Sequence, residues 1–305
     1  MSALGSLSLR PLARGVGGEA YAGGRRALVP APGHGAADRS VSLVLIDDRV
    51  VVHSFGAADW REVLDELRAQ GWIDAENRLR GGGGVVSRPQ QPERSRAERE
   101  RIARALWEGG GPLESGSAAA AHGHRRGVAL SGLGLSGLRA HGAVATRIYD
   151  DSGLRLPALL AAVRDRAGAV RAVEVTYLDA RGALSRLARP SRKVVGSIPA
   201  GSAVRLVPRA AEMLVAEGVF TTLSAMTRFG LPGWALLSTS NLRRWSAPDG
   251  VRRVLIAGDR GPDGEGSAGV LCARLLADGV AASVILPPVG AGDWNDLLQA
   301  EKEEG

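Results

Sequence analysis

The sequence predicts an α/β protein, multidomain and α+β overall: a C-terminal part on a parallel central sheet, an α+β middle part and a small β-rich N-terminal module. Three observations carry this. Beyond residue 209, short apolar runs alternate with helical stretches over brief connections, the pattern of parallel strands joined by crossover helices. Between about 158 and 207, apolar runs are separated by the turns Arg166-Ala167-Gly168 and Asp179-Ala180-Arg181-Gly182, which suits an antiparallel meander. Near the start, Val41–Ile46 and Arg49–His53 are β-branched runs joined across Asp47-Asp48, a hairpin signal.

The elements follow in order. After the hairpin, Asp59 caps a helix carrying Glu62 three residues on and an apolar face of Val63, Leu64 and Leu67 before Gly71 stops it. The Gly run 81–84 and Ser87-Arg88-Pro89-Gln90-Gln91-Pro92 read as a linker. The expected division is therefore 1–80, a linker at 81–92, then 93–208 and 209–305. A highly charged helix spans Ser95–Glu108 with a narrow stripe of Ile102, Ala103, Leu106 and Trp107. The Gly/Ala/Ser-rich stretch 109–142 shows no usable periodicity and is assigned no elements. Strands are expected at Ala158–Arg164, Ala172–Leu178, Val204–Val207, Met213–Ala216, Trp234–Leu237, Val251–Ala257 and Ala282–Leu286. Helices are expected at Thr221–Phe229, Gly266–Leu276 and Asp293–Ala300.

Composition narrows the function. The 305 residues carry a net charge of +7, and lysine occurs only at 193 and 302, so nearly every cation is Arg. Residues 1–208 hold 30 Arg and Lys against 20 Asp and Glu, whereas 209–305 hold 9 against 12. A cationic front suits phosphates and an acidic back suits a divalent metal. The single cysteine, Cys272, excludes an internal disulfide and any multi-thiolate zinc cage, and points to a reducing cytoplasm. No run approaches the roughly 18 apolar residues of a membrane span.

Acids recur where the C-terminal strands should end. Glu217 follows the strand at 213–216, Asp259 follows the strand at 251–257, Asp263 lies in the turn after it, and Asp293 and Asp296 open the last helix. Strand ends in parallel sheets are where functional groups gather. Carboxylates converging there offer oxygen ligands to Mg²⁺, which uses only one or two protein carboxylates and keeps its waters. Taken singly, Asp293 is also a good helix cap and Asp263-Gly264 an ordinary turn. The loop Gly258-Asp259-Arg260-Gly261-Pro262-Asp263-Gly264 is neither a dinucleotide fingerprint nor a P-loop.

The run 214–224 around Glu217, the strand leading to Asp259, and Asp293-Trp294-Asn295-Asp296-Leu297-Leu298 together resemble the Toprim domain of phage- and plasmid-type DNA primases, over roughly 209–300. The resemblance implies acid–base work at the reacting phosphate for Glu217, and Mg²⁺ or Mn²⁺ held by Glu217 and Asp259. Where the family has the second Asp of its metal motif this chain has Gly261, with Asp263 the candidate substitute. A frequent second Glu is Phe220 here. The front resembles the primase zinc module, with Val29, Ser54 and Ala58 where cysteines belong and His34 left alone; no zinc is expected. His34 and His53 with Asp59 offer a metal site less readily than they offer surface or hydrogen-bonded residues.

The middle segment is similar to the region preceding Toprim in these proteins. Arg189, Arg192, Lys193, Arg205 and Arg260 are the candidate nucleic-acid or nucleotide contacts, and a charge-protected strand edge is the bland alternative. The expectation is a cytoplasmic, DNA primase-like nucleotidyltransferase. It would act on single-stranded DNA and nucleoside triphosphates, with a separate replicative helicase and no membrane. A non-catalytic nucleic-acid-binding Toprim protein and a Toprim metal-dependent nuclease remain alternatives.

Overall fold

The computed structural model describes residues 7–32, 40–54, 60–80, 94–188 and 190–304. It falls into two compact units, 1–92 and 93–305.

In the first unit, helix α1 (Arg10–Gly15) precedes four antiparallel strands in sequential order: β1 (Glu19–Tyr21), β2 (Arg26–Val29), β3 (Val41–Ile46) and β4 (Arg49–Ser54). Helix α2 (Trp60–Ala69) follows. The hairpin expected at Asp47-Asp48 is present, with Ile46 opposite Arg49 and Asp47 at φ 54°. Primed two-residue turns need such positive φ, and Asp tolerates it. Leu9, Leu12, Leu43, Leu45, Leu64, Leu67 and Ile73 form the core. Val29 is 1% exposed within it, so the position resembling a zinc cysteine is an apolar packing position. His34, Ala58, Asp59 and the linker at 81–92 lie outside the described residues. Helix α1 and strands β1 and β2 are not expected from the sequence because each is only three to six residues long, too short to show a period.

The second unit starts with α3 (Arg96–Glu108), capped by Ser95, whose hydroxyl accepts the Glu98 N–H at 3.1 Å. The stretch 109–142 contains α4 (Ala118–Arg125) and the first half of β5 (Leu138–Arg147). Helix α4 buries Ala119, Ala120, His122 and Gly123, residues too small or too polar to produce an apolar period. Strand β5 is irregular between His141 and Val144, which breaks the two-residue alternation. The meander continues with β6 (Ser152–Arg164), β7 (Val170–Tyr177), β8 (Arg192–Gly196) and β9 (Ala203–Arg205). Strand β6 begins well before the expected Ala158, because its first residues pair only with β5 and stay exposed.

The last third alternates as expected, with one unexpected short helix at 239–242: β10 (Glu212–Ala216), α5 (Val219–Phe229), β11 (Gly233–Ala235), α6 (Thr239–Leu242), β12 (Arg253–Ala257), α7 (Pro262–Ala277), β13 (Ala281–Ile285) and α8 (Trp294–Glu304). Helix α7 begins four residues before the expected Gly266, with Pro262 in its first turn, where the missing N–H costs nothing. Strands β10 to β13 are parallel, in the order β13-β12-β10-β11.

The parallel strands do not stand alone. Strand β11 pairs antiparallel with β9, Trp234 opposite Arg205, so the sheet runs on through β6, β7 and β8, and among the described residues has nine strands. The boundary expected at 208/209 thus passes through a continuous mixed sheet. One face of its antiparallel half packs Val173, Val175, Tyr177 and Val195 under Ala103 and Trp107 of α3. The other packs Leu159, Ala161, Ala172 and Val204 with Ala119 of α4 and Phe220 and Leu223 of α5. Glu100, buried on α3, is held by Arg96, Arg171 and Ser197, hydrogen bonds that pull its carboxyl down to about 2.

Candidate metal and nucleotide site

Strand β10 has β11 on one side and β12 on the other, and the chain leaves it first toward β11. Its C-terminal end is the topological switch point, where neighbouring crossovers diverge and open a crevice. Glu217 lies there. Burial raises its carboxyl pKa, Asp263 adds to the rise, and a backbone hydrogen bond from Thr239 opposes it. That N–H is presented by an unusual turn. Leu237, whose own N–H donates to the Glu217 carbonyl at 2.8 Å, sits at φ 66°, a conformation bulky residues rarely adopt.

Asp259 follows β12. Burial pushes it up to about 7, helped by the charges of Glu217, Asp293 and Asp296. Its Oδ1 is buried without a hydrogen-bond partner. The Arg260 N–H donates to the Gly292 carbonyl at 2.7 Å, which draws the loop after β12 against the start of α8. Asp293 there accepts from Thr221 Oγ1 at 3.1 Å and from the N–H groups of Asn295 and Asp296, and Asp296 accepts from the Asp293 N–H at 3.2 Å. Asp293 therefore caps α8, and its charge bears on Asp259.

Asp263 is placed differently. It lies in the first turn of α7 and its carboxylate pairs with Arg243. Its charge reaches Glu217, whereas the charges bearing on Asp259 are those of Glu217, Asp293 and Asp296. Gly261 has φ 112° and ψ 161°, a backbone state essentially restricted to glycine. The residue absent from the expected Asp-x-Asp pair is thus absent where the backbone rejects a side chain.

Among the described residues, no three His, Cys, Asp or Glu side chains form a ready metal cage. An orphaned carboxylate oxygen under pressure from other carboxylates nevertheless fits a hard cation that takes one or two protein oxygens and keeps its waters. Glu217 and Asp259 fit such an ion; Asp263 would first have to leave Arg243.

Asp293 also lines a narrow cleft with Arg126, Glu174, Thr176, Arg192, Phe220 and Thr221. Arg126 stacks 5.4 Å from the Phe220 ring centroid, and Phe220 packs edge-on against His122. An aromatic in place of the family's second Glu therefore supports a guanidinium. Burial lowers the Arg126 pKa, the Asp293 charge opposes this, and its Nε has no partner. Burial raises the Glu174 carboxyl and Arg192 draws it back.

The candidate cations separate. Arg192 joins this cleft, but Lys193, the next residue of β8, lines a different cavity. Arg205 is engaged by the Asp165 and Arg166 carbonyls and lies over the Trp234 ring. Arg260 donates to the Pro287 carbonyl at 2.8 Å. Arg189 lies outside the described residues. Arg126 and Glu174 escape the sequence reading: Arg126 falls in the stretch without periodicity, and Glu174 has the pattern of a solvated strand residue. The run His122-Gly-His-Arg-Arg126 is the available signal.

Comparison with known proteins finds two family matches. Residues 212–304 match the model of the Toprim domain, and residues 97–206 match that of a domain of unknown function (DUF7146). The last third of the chain is a Toprim domain. The primase fragment of the bacteriophage T7 primase-helicase protein is similar to this chain, 13% identical over 91% of this chain and 96% of that one, with a TM-score of 0.38. The DnaG primase catalytic domain bound to single-stranded DNA is 14% identical over 68% and 78%, TM-score 0.45. The Aquifex aeolicus primase, zinc-binding and RNA polymerase domains, is 12% identical over 94% and 78%, TM-score 0.41. No curated protein matches the chain.

Proposed function

We propose that this protein is a DNA primase-like nucleotidyltransferase that builds RNA primers on single-stranded DNA. The observation that carries the reading is Asp259: half-buried, with one buried, unpartnered oxygen, bearing the charge of Glu217, Asp293 and Asp296 inside a Toprim domain. Mg²⁺ or Mn²⁺, held by Glu217 and Asp259 and by Asp263 on release from Arg243, would supply charge stabilisation at the transferring phosphate.

The chain's own residues supply the rest. Glu217 accepts the proton of the attacking 3′-hydroxyl as the new O–P bond forms and pyrophosphate leaves; its raised pKa brings it closer to the neutral range where a general base works best. Arg126 and Arg192, which line one cleft with Asp293, hold the triphosphate or the template backbone. Asp293 orients Thr221 and the first turn of α8. Residues 1–80 then act as a zinc-free remnant module, 81–92 as a linker, and 93–208 as the basic partner of the Toprim domain at 209–305. A cytoplasmic setting and a separate replicative helicase go with this reading. Primer synthesis on single-stranded DNA with labelled ribonucleotides tests it: the wild type makes product and Glu217→Gln does not. No wild-type product across a range of Mg²⁺ and Mn²⁺ overturns it.

One observation favours a second reading. With Gly261 in place of an acid and Asp263 on Arg243, the site has shed ligands, as a purely nucleic-acid-binding Toprim protein would. In that case DNA binding weakens steeply with salt and is indifferent to Glu217→Gln and Asp259→Asn.

A further inference from the structure

Arg192 and Lys193 are consecutive on β8, so their side chains leave opposite faces of the sheet. Arg192 lines the cleft beside Asp293. Lys193 lines a cavity of about 350 Å³ with Thr146, Arg147, Arg186, Leu187 and Pro190. The cavity lies where the tip of the β5–β6 hairpin meets the β7–β8 connection. Three of its lining residues are cations and, among the described residues, none is an acid. None of the three forms an ion pair with a described residue. Lys193 Nζ spends one hydrogen on the Thr146 carbonyl at 2.6 Å and lies 5.0 Å from the Tyr177 ring centroid, while burial pulls the amine down to about 8. Arg147 and Arg186 are exposed. Cations that converge on a concavity without a counter-charge repel one another, and an anion relieves that repulsion. The volume is within the range of small-ligand pockets, about 300–1,000 Å³. Leu187, Ala188 and Pro190 add an apolar wall.

We propose that Arg147, Arg186 and Lys193 form a second phosphoryl-binding site, on the face of the sheet away from the Arg126–Arg192 cleft. The phosphoryl group comes from a free nucleotide or pyrophosphate, or from the backbone of a single strand. The site does not depend on the catalytic reading, because its ligand is held by side-chain cations and needs no divalent ion.

The test uses the full chain in EDTA, which removes metal-dependent phosphate binding at the acids. Pyrophosphate, ATP and an oligothymidylate are titrated calorimetrically into the wild type and an Arg147→Gln/Arg186→Gln variant, whose exposed substitutions should leave the melting temperature unchanged. In parallel, acetylation of Lys193 is followed by peptide mass spectrometry with and without each probe. The expected result is at least tenfold weaker binding in the variant, with Lys193 protected in the wild type. Protection by pyrophosphate and ATP assigns a free phosphorylated ligand, and protection by the oligonucleotide alone assigns a strand. Affinities unchanged in the variant, or Lys193 equally reactive with all three probes, overturn the proposal.

Discussion

The side-chain amide of Asn295 donates to the main-chain carbonyl of Arg126 at 2.7 Å, joining residues 169 apart in sequence. The same amide donates to Ser224 Oγ at 2.9 Å, and Asn295 is 0% exposed. One buried side chain therefore ties the start of α8, where Asp293 and Asp296 sit, to α5 and to the segment that presents Arg126. Asn295→Ala leaves that carbonyl and hydroxyl unsatisfied in the interior, at a cost of about 1–3 kcal/mol each. Urea unfolding should show the loss. DNA affinity should fall as well, because the Arg126 backbone loses its anchor.

Asp259 sets a pH signature. Its folded pKa of about 7 lies above the ordinary carboxyl value, so between the two the folded state holds a proton that the unfolded state has released. Its contribution to stability is thus complete below the ordinary value and is lost as pH rises toward 7. Asp259→Asn removes the charge that causes this. In EDTA the variant should melt about 4 °C or more above the wild type near pH 8 and match it near pH 4. Mg²⁺ should narrow the gap at the higher pH by stabilising only the wild type. Equal melting temperatures at both pH values would contradict the buried, charge-crowded placement.

Removing a general base typically costs a factor of about 10²–10⁴ in rate. Glu217→Gln should reduce primer synthesis by that amount and leave single-strand affinity within about twofold. A parallel loss of binding would make Glu217 a structural residue of the β10 crossover.

Restoring the missing acid should not restore the motif. At φ 112° a side chain at 261 is strained even though the space around it is open, so Gly261→Asp should destabilise the fold by about 1–3 kcal/mol. Thermal melts of Gly261→Ala and Gly261→Asp separate the effects: similar losses point to the backbone, whereas a loss confined to Asp points to charge.

Arg126 and Arg192 should behave as phosphate contacts. Each Arg→Gln change should weaken single-strand binding for all base compositions and lower the slope of log affinity against log salt by about 1. Arg205→Gln should leave the slope unchanged, since its guanidinium is already occupied by the Asp165 and Arg166 carbonyls. Fluorescence anisotropy over a salt series reads all three.

The C-terminal elements are legible because their signals are strong and local. Apolar runs such as Val254-Leu255-Ile256-Ala257 end abruptly in Gly and Asp, and helices start at recognisable caps. The same locality brings out Glu217, Asp259, Asp293 and Asp296, which sit immediately beyond strands or at a helix start. The region 109–142 is illegible because α4 buries alanines, a glycine and a histidine rather than large apolar residues, and β5 is interrupted near Gly142. Arg126 and Glu174 stay hidden for a different reason: a charged residue's role depends on what faces it from distant sequence.

By itself, then, the sequence determined the α/β class, the hairpin at Asp47-Asp48, the parallel C-terminal layer and the set of acids at its strand ends, all of which rest on residue periodicity and neighbouring turns. Only the tertiary structure decided that the parallel strands continue into the meander through β11 and β9, that Asp259 is crowded by Asp293 and Asp296 while Asp263 turns to Arg243, and that Arg192 and Lys193 serve opposite faces. Periodicity is a property of a few adjacent residues. Electrostatic crowding, and the surroundings of a strand residue in a packed sheet, are set by partners distant in sequence, as the bond across 169 residues from Asn295 to Arg126 illustrates.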